Sequence, residues 1–440
     1  MTHGPVIIIG GGLAGCEAAW QLLKRGHAVH LYEMKPGRFS PAHTSERLAE
    51  LVCSNSFKSN DPESAPGLLK NEMRRLDSLI LSAADQTSVA AGAALAVDRN
   101  EFSALIEKRL LEQRKFTLNR VEQTSIPRSG PVIVATGPLT SDKMAESIAK
   151  LLGNPYLYFY DAIAPIVEAD SIDMTKVYWA SRYDKGTPDY LNCPLTENDY
   201  KNFHRELLAG QKVAPRDFES TRHFEGCLPL EVLAARGEDT LAFGPLKPVG
   251  LVNPYTKATP YAVVQLRKED AAARLFNMVG FQTRLTWPEQ KRIFRMIPGL
   301  ENAQFVRLGS IHRNTYIHSP SVLSSCLNLR KEPGIFFAGQ LTGVEGYMES
   351  TATGLLAGLN ASFLMEDKHF IPPPPSTAMG ALLRYISSPR PGNDPFQPMN
   401  INFGIIEQPV LKKIRKKDRH RLMIEQARAS FASWLESNGI

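Results

Sequence analysis

Three observations predict an α/β fold. A short β-branched run, Val6-Ile7-Ile8-Ile9, ends in the glycine turn Gly10-Gly11-Gly12-Leu13-Ala14-Gly15. A helical pattern and a second strand, Ala28 to Tyr32, follow directly. Near the other end, Gly334-Ile335-Phe336-Phe337-Ala338-Gly339 repeats the strand-then-glycine arrangement. Strand, helix and strand within about thirty residues make a βαβ unit, the opening of a Rossmann-type domain.

Cys16 to Arg25 reads as a helix because Ala14, Ala18 and Leu22 recur at i+4, and Gly26 is placed to end it. Glu33 closes the second strand. Phe102 to Leu111 reads as a further helix, and Pro131 to Thr136 as a strand running into Gly137-Pro138. Ser350 to Phe363, rich in Ala, Gly and Leu, reads as a tightly packed helix. The parallel-sheet domain thus opens at Val6 and closes after Ser350. Residues 176–304 differ in texture, with Tyr, Trp, Pro and Arg and no comparable run of buried strands, and read as an inserted smaller α+β domain. The expected division is 1–175 and 305–440 for the two parts of the main domain and 176–304 for the insertion. Pro372 to Pro375 is a stiff spacer, Asn393 to Asn402 a loop, and an amphipathic helix follows Lys412.

Composition narrows the function classes. The 440 residues suffice for two or three domains, and 43% hydrophobic with 22% charged residues is ordinary globular usage. A formal charge of +6 is compatible with a polyanionic partner without requiring one. Cys16, Cys53, Cys193, Cys227 and Cys326 are odd in number and widely spaced, with no CxxC pair or Cys/His cluster. That spacing argues against a metal site and a disulfide framework, and a reduced, cytoplasmic setting is expected. The apolar run at Val6 stops at glycines and reads as a strand, not a signal peptide, and no run of 18 apolar residues predicts a membrane span.

The glycine turn has a definite physical job. Gly10 permits the tight turn, Gly12 lets the backbone approach a pyrophosphate, and Gly15 allows the helix to pack on the strand. Gly11, Leu13 and Ala14 complete the loop, whose helix N-terminus offers free N–H groups and a positive dipole end. Glycines also serve plain turns, but here the motif follows a strand, opens a helix and has Glu33 eighteen residues beyond Gly15, where a carboxylate can bind a ribose hydroxyl. An acid there favours FAD or NAD over NADP. The strand ending in Ala135-Thr136-Gly137 and the late turn Ala338-Gly339-Gln340 suit the large, glutathione-reductase-like FAD-binding folds, where a late glycine turn reaches the flavin. No second GxGxxG is present for a nicotinamide nucleotide.

Further segments carry a family resemblance. They include Leu51-Val52-Cys53-Ser54-Asn55-Ser56-Phe57, Gly92-Ala93-Ala94-Leu95-Ala96-Val97-Asp98-Arg99, Tyr190-Leu191-Asn192-Cys193-Pro194 and Phe224-Glu225-Gly226-Cys227-Leu228-Pro229. Phe243 to Leu251, Asn277 to Thr283, His312-Arg313-Asn314-Thr315 and Ala338 to Tyr347 continue the series in order. Together they resemble the folate- and FAD-dependent tRNA (uracil-5-)-methyltransferases, from Val6 to Phe403. The resemblance implies transfer of a one-carbon unit from 5,10-methylenetetrahydrofolate to C5 of the T-loop uridine (position 54) of tRNA, with FAD as cofactor and NAD(P)H as reductant.

That chemistry needs a nucleophile at C6 of the uracil, a base for the C5 proton and a hydride source. By the family's pattern Cys227 is the nucleophile and Cys53 the base, and the two roles are exchangeable. Taken alone, any single cysteine reads more often as a small buried hydrophobe. Cys16, Cys193 and Cys326 are expected to be structural. The resemblance places His312, Glu345 and Tyr347 around the isoalloxazine and the folate pterin. In the tail Lys412-Lys413-Ile414-Arg415-Lys416-Lys417-Asp418-Arg419-His420-Arg421, eight of ten residues are Lys, Arg or His, which suits RNA phosphates or a merely solvated helix face. Lys58 departs from the arginine expected after Phe57, which keeps the charge and loses the planar fork. Alternative readings are the same chemistry on a ribosomal RNA uridine, or a non-catalytic RNA-binding protein holding FAD as a prop. A flavin disulfide reductase is excluded by the missing redox cysteine pair.

Overall fold

The computed structural model describes residues 4–153, 157–162, 164–184, 186–213, 228–270, 272–309, 311–390, 396–408 and 415–440, with backbone alone at 157–162, 311–313, 416 and 417. Five strands, all parallel, form the central sheet in the order Ile335–Phe337, Val132–Val134, Val6–Ile9, Val29–Tyr32, Phe116–Asn119. The strands Ile335–Phe337, Val132–Val134 and Val6–Ile9 are covered on both faces and apolar throughout: Val6, Ile8, Ile133 and Phe336 enter one core, and Ile9, Val132, Val134, Ile335 and Phe337 the other. The first strand pairs with Val29–Tyr32 in register Ile9 to Tyr32, which brings the glycine turn and the end of the second strand to one edge.

The helix after the glycine turn runs Leu13–Lys24, three residues earlier than the i+4 pattern suggested, because Gly15 is itself helical. It lies against the late helix Tyr347–Met365 with almost no side chain between them. A Cβ on Gly354 would overlap Ala14, and one on Gly358 would come within 2.7 Å of the Ala18 carbonyl oxygen. Ala14 and Ala18, like Gly354 and Gly358, are four apart, so each pair sits on one face of its helix.

Two buried carboxylates hold helix ends onto this frame. Glu17 in the first helix accepts hydrogen bonds from the Ser78 hydroxyl at 2.7 Å and the Ile80 N–H at 3.0 Å, and so caps the helix Leu79–Gln86. Glu72 in the helix Ala65–Arg75 accepts from the Ala378 and Met379 N–H groups, both at 2.8 Å, at the start of the helix Ala378–Ser387. Residue 99 opens a helix that extends to Leu111, three residues earlier than Phe102, because Asp98 accepts from the Asn100 and Glu101 N–H groups.

A second, antiparallel sheet has the order Tyr178–Ala180, Tyr190–Leu195, Ala262–Lys268, Leu275–Met278, Ile166–Glu168, Phe305–Arg307. The pairs Leu157–Ala162 and Ile311–Tyr316, antiparallel to each other, carry the chain to this sheet and back. The expectation of no buried strands between 176 and 304 is corrected: Tyr190–Leu195 and Ala262–Lys268 are extensively buried. They escaped notice because one face is apolar (Leu191, Cys193, Val264, Leu266) while the other carries Asn192, Gln265 and Arg267, so no unbroken β-branched run marks them.

Replacing Glu72 with alanine leaves two helix N–H groups buried without acceptors. The expected loss is about 1–3 kcal/mol of stability, measured as a lower denaturation midpoint; an unchanged midpoint would show that the cap carries no weight.

Candidate functional site

The glycine turn is built by steric exclusion. Gly10 has φ +106°, and a Cβ there would run into the Ala135 carbonyl. A Cβ on Gly15 would overlap the Gly10 carbonyl oxygen, so the loop closes only with glycine at both places. Gly12 is different. It begins the helix with φ −77°, and an added Cβ meets nothing within 4 Å. Its outer face is open space, where a bound group can approach the backbone. Gly11 donates its N–H to Glu33 Oε2 at 2.9 Å, and Lys35 donates its N–H to Glu33 Oε1 at 3.0 Å. Glu33 therefore fixes the loop while remaining on the wall of the cleft.

Gly10, Gly11, Gly12, Leu13, Ala14 and Glu33 line that cleft at one end, together with His43 and Glu50. Gly137, Gly339, Gln340, Val52 and Tyr347 also lie on its wall. Gly137 and Gly339 have φ of +70° and +78°, and Gly339 rests against Ala14, so the late turn meets the first one. Thr353 fixes that turn by accepting the Gly339 N–H at 2.8 Å. Gln340 Nε2 donates to Glu345 Oε2 at 2.5 Å, which places Glu345 behind the cleft wall.

Cys53 sits in the segment that follows Val52. The Tyr347 hydroxyl accepts its backbone N–H at 2.8 Å. Arg99 donates to the Cys53 carbonyl at 3.1 Å and to the Leu51 carbonyl, and Arg307 donates to the Val52 carbonyl. Burial works against the Arg99 charge, but its pairing with Glu269 outweighs that and holds it above its ordinary range. Burial, with Arg99 nearby, pulls Arg307 down. Burial and then the neighbouring Cys53 push the Tyr347 phenol up, which keeps it neutral. The thiol segment is thus held by a phenol and two guanidiniums at the edge of the cleft. Asn55 ties it to the antiparallel sheet: its Nδ2 donates to Val97 and Lys268 carbonyls, and its Oδ1 accepts from Arg267 Nε at 3.0 Å.

The structure brings together the glycine turn, Glu33, Gly137, Gly339, Gln340, Tyr347 and the Cys53 segment. His312 is on the strand Ile311–Tyr316, paired with Asp161. Cys227, Lys412 and Lys413 lie outside the described residues, while Lys416 and Lys417 open the helix Lys416–Asn438. Cys16 and Cys193 are buried and their thiols pushed up by burial; Cys16 donates to the Gly11 carbonyl at 3.3 Å. Cys326 is half-buried and also raised by burial. Lys58 turns inward, pairing with Glu349 at 2.9 Å and Asn400 at 3.0 Å. Arg307 and Asn55 were missed as functional positions, since an isolated arginine and an asparagine in a loop carry no spacing signal; only the Asn55 motif pointed to that segment.

The parallel sheet, its glycine turn and the cleft define a Rossmann-type α/β dinucleotide-binding protein. The family described as "Glucose inhibited division protein A" matches residues 5–369. Over 430 residues the chain is 60% identical to the methylenetetrahydrofolate–tRNA-(uracil-5-)-methyltransferase TrmFO of Syntrophus aciditrophicus, covering 98% of this chain and 97% of that one. It is 55% identical to the protein of the same name from Geobacter sulfurreducens, covering 98% and 99%. The GidA structure from Aquifex aeolicus shares the fold, with a TM-score of 0.69 at 15% identity, covering 98% of this chain and 73% of that one. The chain belongs to the methylenetetrahydrofolate–tRNA-(uracil-5-)-methyltransferase family.

Gly12 and Gly15 separate two kinds of defect. Gly12→Val fits the empty protein yet fills the approach to the helix start, so flavin content falls while the apoprotein's denaturation midpoint holds. Gly15→Ala closes on the Gly10 carbonyl and lowers both. Equal apoprotein stability in the two variants would contradict this account.

Proposed function

We infer that this chain is an FAD-dependent methyltransferase that moves a one-carbon unit from 5,10-methylenetetrahydrofolate to C5 of the T-loop uridine of tRNA, giving 5-methyluridine. The observation that carries this reading is identity of 52% to 60% along essentially the whole chain with relatives of that printed activity. The residues fit FAD: the open face of Gly12 and the closed turn at Gly10 and Gly15 suit a pyrophosphate, and Gly137, Gly339 and Gln340 line the same cleft. Gly10 to Gly15 with Glu33 would hold the adenosine diphosphate part, and Gly137, Gly339 and Gln340 the flavin part. FAD supplies hydride chemistry there, with NAD(P)H as the source of the electrons.

The remaining work falls to side chains. C5 of uracil is a weak nucleophile, and addition of the Cys227 thiolate to C6 makes it reactive. Once the carbon is attached, Cys53 takes the C5 proton and the C6–S bond breaks. Support for Cys53 comes from its segment beside Val52 and Tyr347 on the cleft wall and from the two guanidiniums that put positive charge next to it. Cys227 rests on the family's pattern. Tyr347, Glu345 and His312 are read as the folate side of the site, Tyr347 supported by its place on the wall and Glu345 by its bond to Gln340.

The tail lysines Lys412, Lys413, Lys416 and Lys417 are read as phosphate contacts. Support comes from Arg415, Lys416 and Lys417 gathering at a helix start, where the dipole disfavours cations and a polyanion relieves them. No helix of the described residues is long and apolar enough to cross a membrane, and the tRNA substrate fits a cytoplasmic setting.

Label from methylenetetrahydrofolate should enter T-loop RNA only when NAD(P)H is present, and label from S-adenosylmethionine should not. Incorporation from S-adenosylmethionine would falsify the reading. RNA containing 5-fluorouridine has no C5 proton to release and should trap a covalent complex. Cys227→Ala should lose both complex and methylation; Cys53→Ala should lose methylation but keep the complex. Loss of the complex in Cys53→Ala alone would exchange the two roles.

A further inference from the structure

The segment 244–260 joins the short helix Thr240–Phe243 to the strand Ala262–Lys268 without regular structure of its own. Loops of that length within a folded domain are uncommon and usually functional. This one is firmly held. Leu246 and Leu251 are buried, Asn253 Oδ1 accepts the Tyr255 N–H at 2.9 Å, and the Asn253 N–H donates to the Ala258 carbonyl at 2.9 Å. What it holds outward is apolar and aromatic. Phe243 is 80% exposed and Tyr255 66%, and Val249 and Val252 are exposed as well. A second chain segment is seated on this one. Tyr183, 62% exposed, lays its ring across Gly250, and its N–H donates to the Gly250 carbonyl at 2.7 Å.

Charge selects the partner. From Thr240 to Lys268 the chain has four Lys or Arg and no Asp or Glu, and Lys247 and Lys257 are exposed within the segment. Asp184 lies on the Tyr183 turn, and Glu238 with Asp239 before the stretch and Glu269 with Asp270 after it are the acids that bound it. Exposed aromatic rings interleaved with cations suit single-stranded nucleic acid, because every base has a stacking face and every nucleotide a phosphate.

The face also leads toward the chemistry. Arg182 joins the Val249 carbonyl at 2.7 Å to Gln265 Oε1 at 3.0 Å. Gln265 and Arg267 project from the same side of their strand, about 7 Å apart. Arg267 bonds Asn55, two residues from Cys53. A chain of polar contacts, buried at its Arg267–Asn55 end, therefore links the segment, through Arg182 and the polar side of the antiparallel sheet, to the thiol segment.

We propose that the segment 244–260, with the Arg182–Asp184 turn seated on it, is a docking surface for the RNA substrate, whose unpaired bases stack on Tyr183, Phe243 and Tyr255 and whose phosphates meet Lys247 and Lys257. This rests on the methyltransferase reading for the identity of the RNA, and not for the surface itself.

The test uses the full-length, FAD-loaded protein and a T-loop RNA hairpin, with affinity measured across a range of salt. The triple variant Tyr183→Ala, Phe243→Ala, Tyr255→Ala should weaken binding roughly ten-fold or more, as loss of base stacking does, with little change in salt dependence. Lys247→Ala with Lys257→Ala should lower the slope of log affinity against log salt by about one to two. Flavin reduction by NAD(P)H should be the same in all of them. If the triple variant does not fold, Tyr255→Ala alone on the exposed loop carries the test. Parent-like affinity in the folded variants overturns the proposal. So does parent self-association that the aromatic variants abolish while RNA binding persists, since the face would then be an interface between copies. A parent that transfers no label, with RNA binding still weakened by the variants, sinks the methyltransferase reading and leaves the surface standing.

Discussion

The contact between the helices Leu13–Lys24 and Tyr347–Met365 supports most of the site. Small residues on both facing stripes, Ala14 and Ala18 against Gly354 and Gly358, let the two backbones meet. Any larger side chain at Gly354 would push them apart, since interiors are packed too tightly to absorb a methyl group without movement. Three positions follow from that closeness. Gly339 comes to rest on Ala14, so the late turn closes onto the glycine loop. Tyr347, at the start of the late helix, is carried to the cleft wall. From there the Tyr347 hydroxyl reaches the Cys53 N–H.

The second support is the join, at the thiol segment, between the strand Ala94–Val97 and the antiparallel sheet. Arg99 and Glu269 form a largely buried pair across it, and Asn55 makes hydrogen bonds to both sides. Buried pairs add little net stability, because desolvation offsets much of their attraction, yet losing one partner leaves an expensive charge. Such a pair constrains geometry more than it stabilises the fold. Here it fixes the carbonyls of Leu51 and Cys53 through the same guanidinium, so the segment has few ways to shift without breaking the pair. The Lys58–Glu349 pair acts similarly from below, tying the strand after Cys53 to the late helix. A lysine suffices there because the contact is to one carboxylate oxygen and one amide oxygen, with no bidentate partner to demand a guanidinium fork.

Positive charge occurs in two different settings at the surface. In the tail it gathers at a helix start among polar residues. In the segment 244–260 it alternates with exposed rings on a rigid loop. The first suits sequence-independent contact with phosphates; the second adds a surface that recognises bases by their flat faces.

Sequence alone determined the parallel-sheet frame and its dinucleotide turn, because those rest on local rules. Gly10 and Gly15 are each required by contacts within a few residues or with an adjoining strand, Gly12 leaves the helix start open, and an unbroken apolar run is what a strand buried on both faces needs. Cys53 was singled out only through its family motif, since no local rule separates a reactive thiol from a packed one. The tertiary structure decided the rest. Helix starts moved earlier wherever a loop residue, Asp98 or Gly12, took the cap position. The antiparallel strands went unseen because their polar face, Asn192, Gln265 and Arg267, is covered by contacts with distant segments such as Asn55 rather than by apolar burial. Arg307 reaches the Val52 carbonyl from 255 positions away. No spacing in the chain encodes such a meeting; it exists only once the antiparallel sheet is packed against the thiol segment.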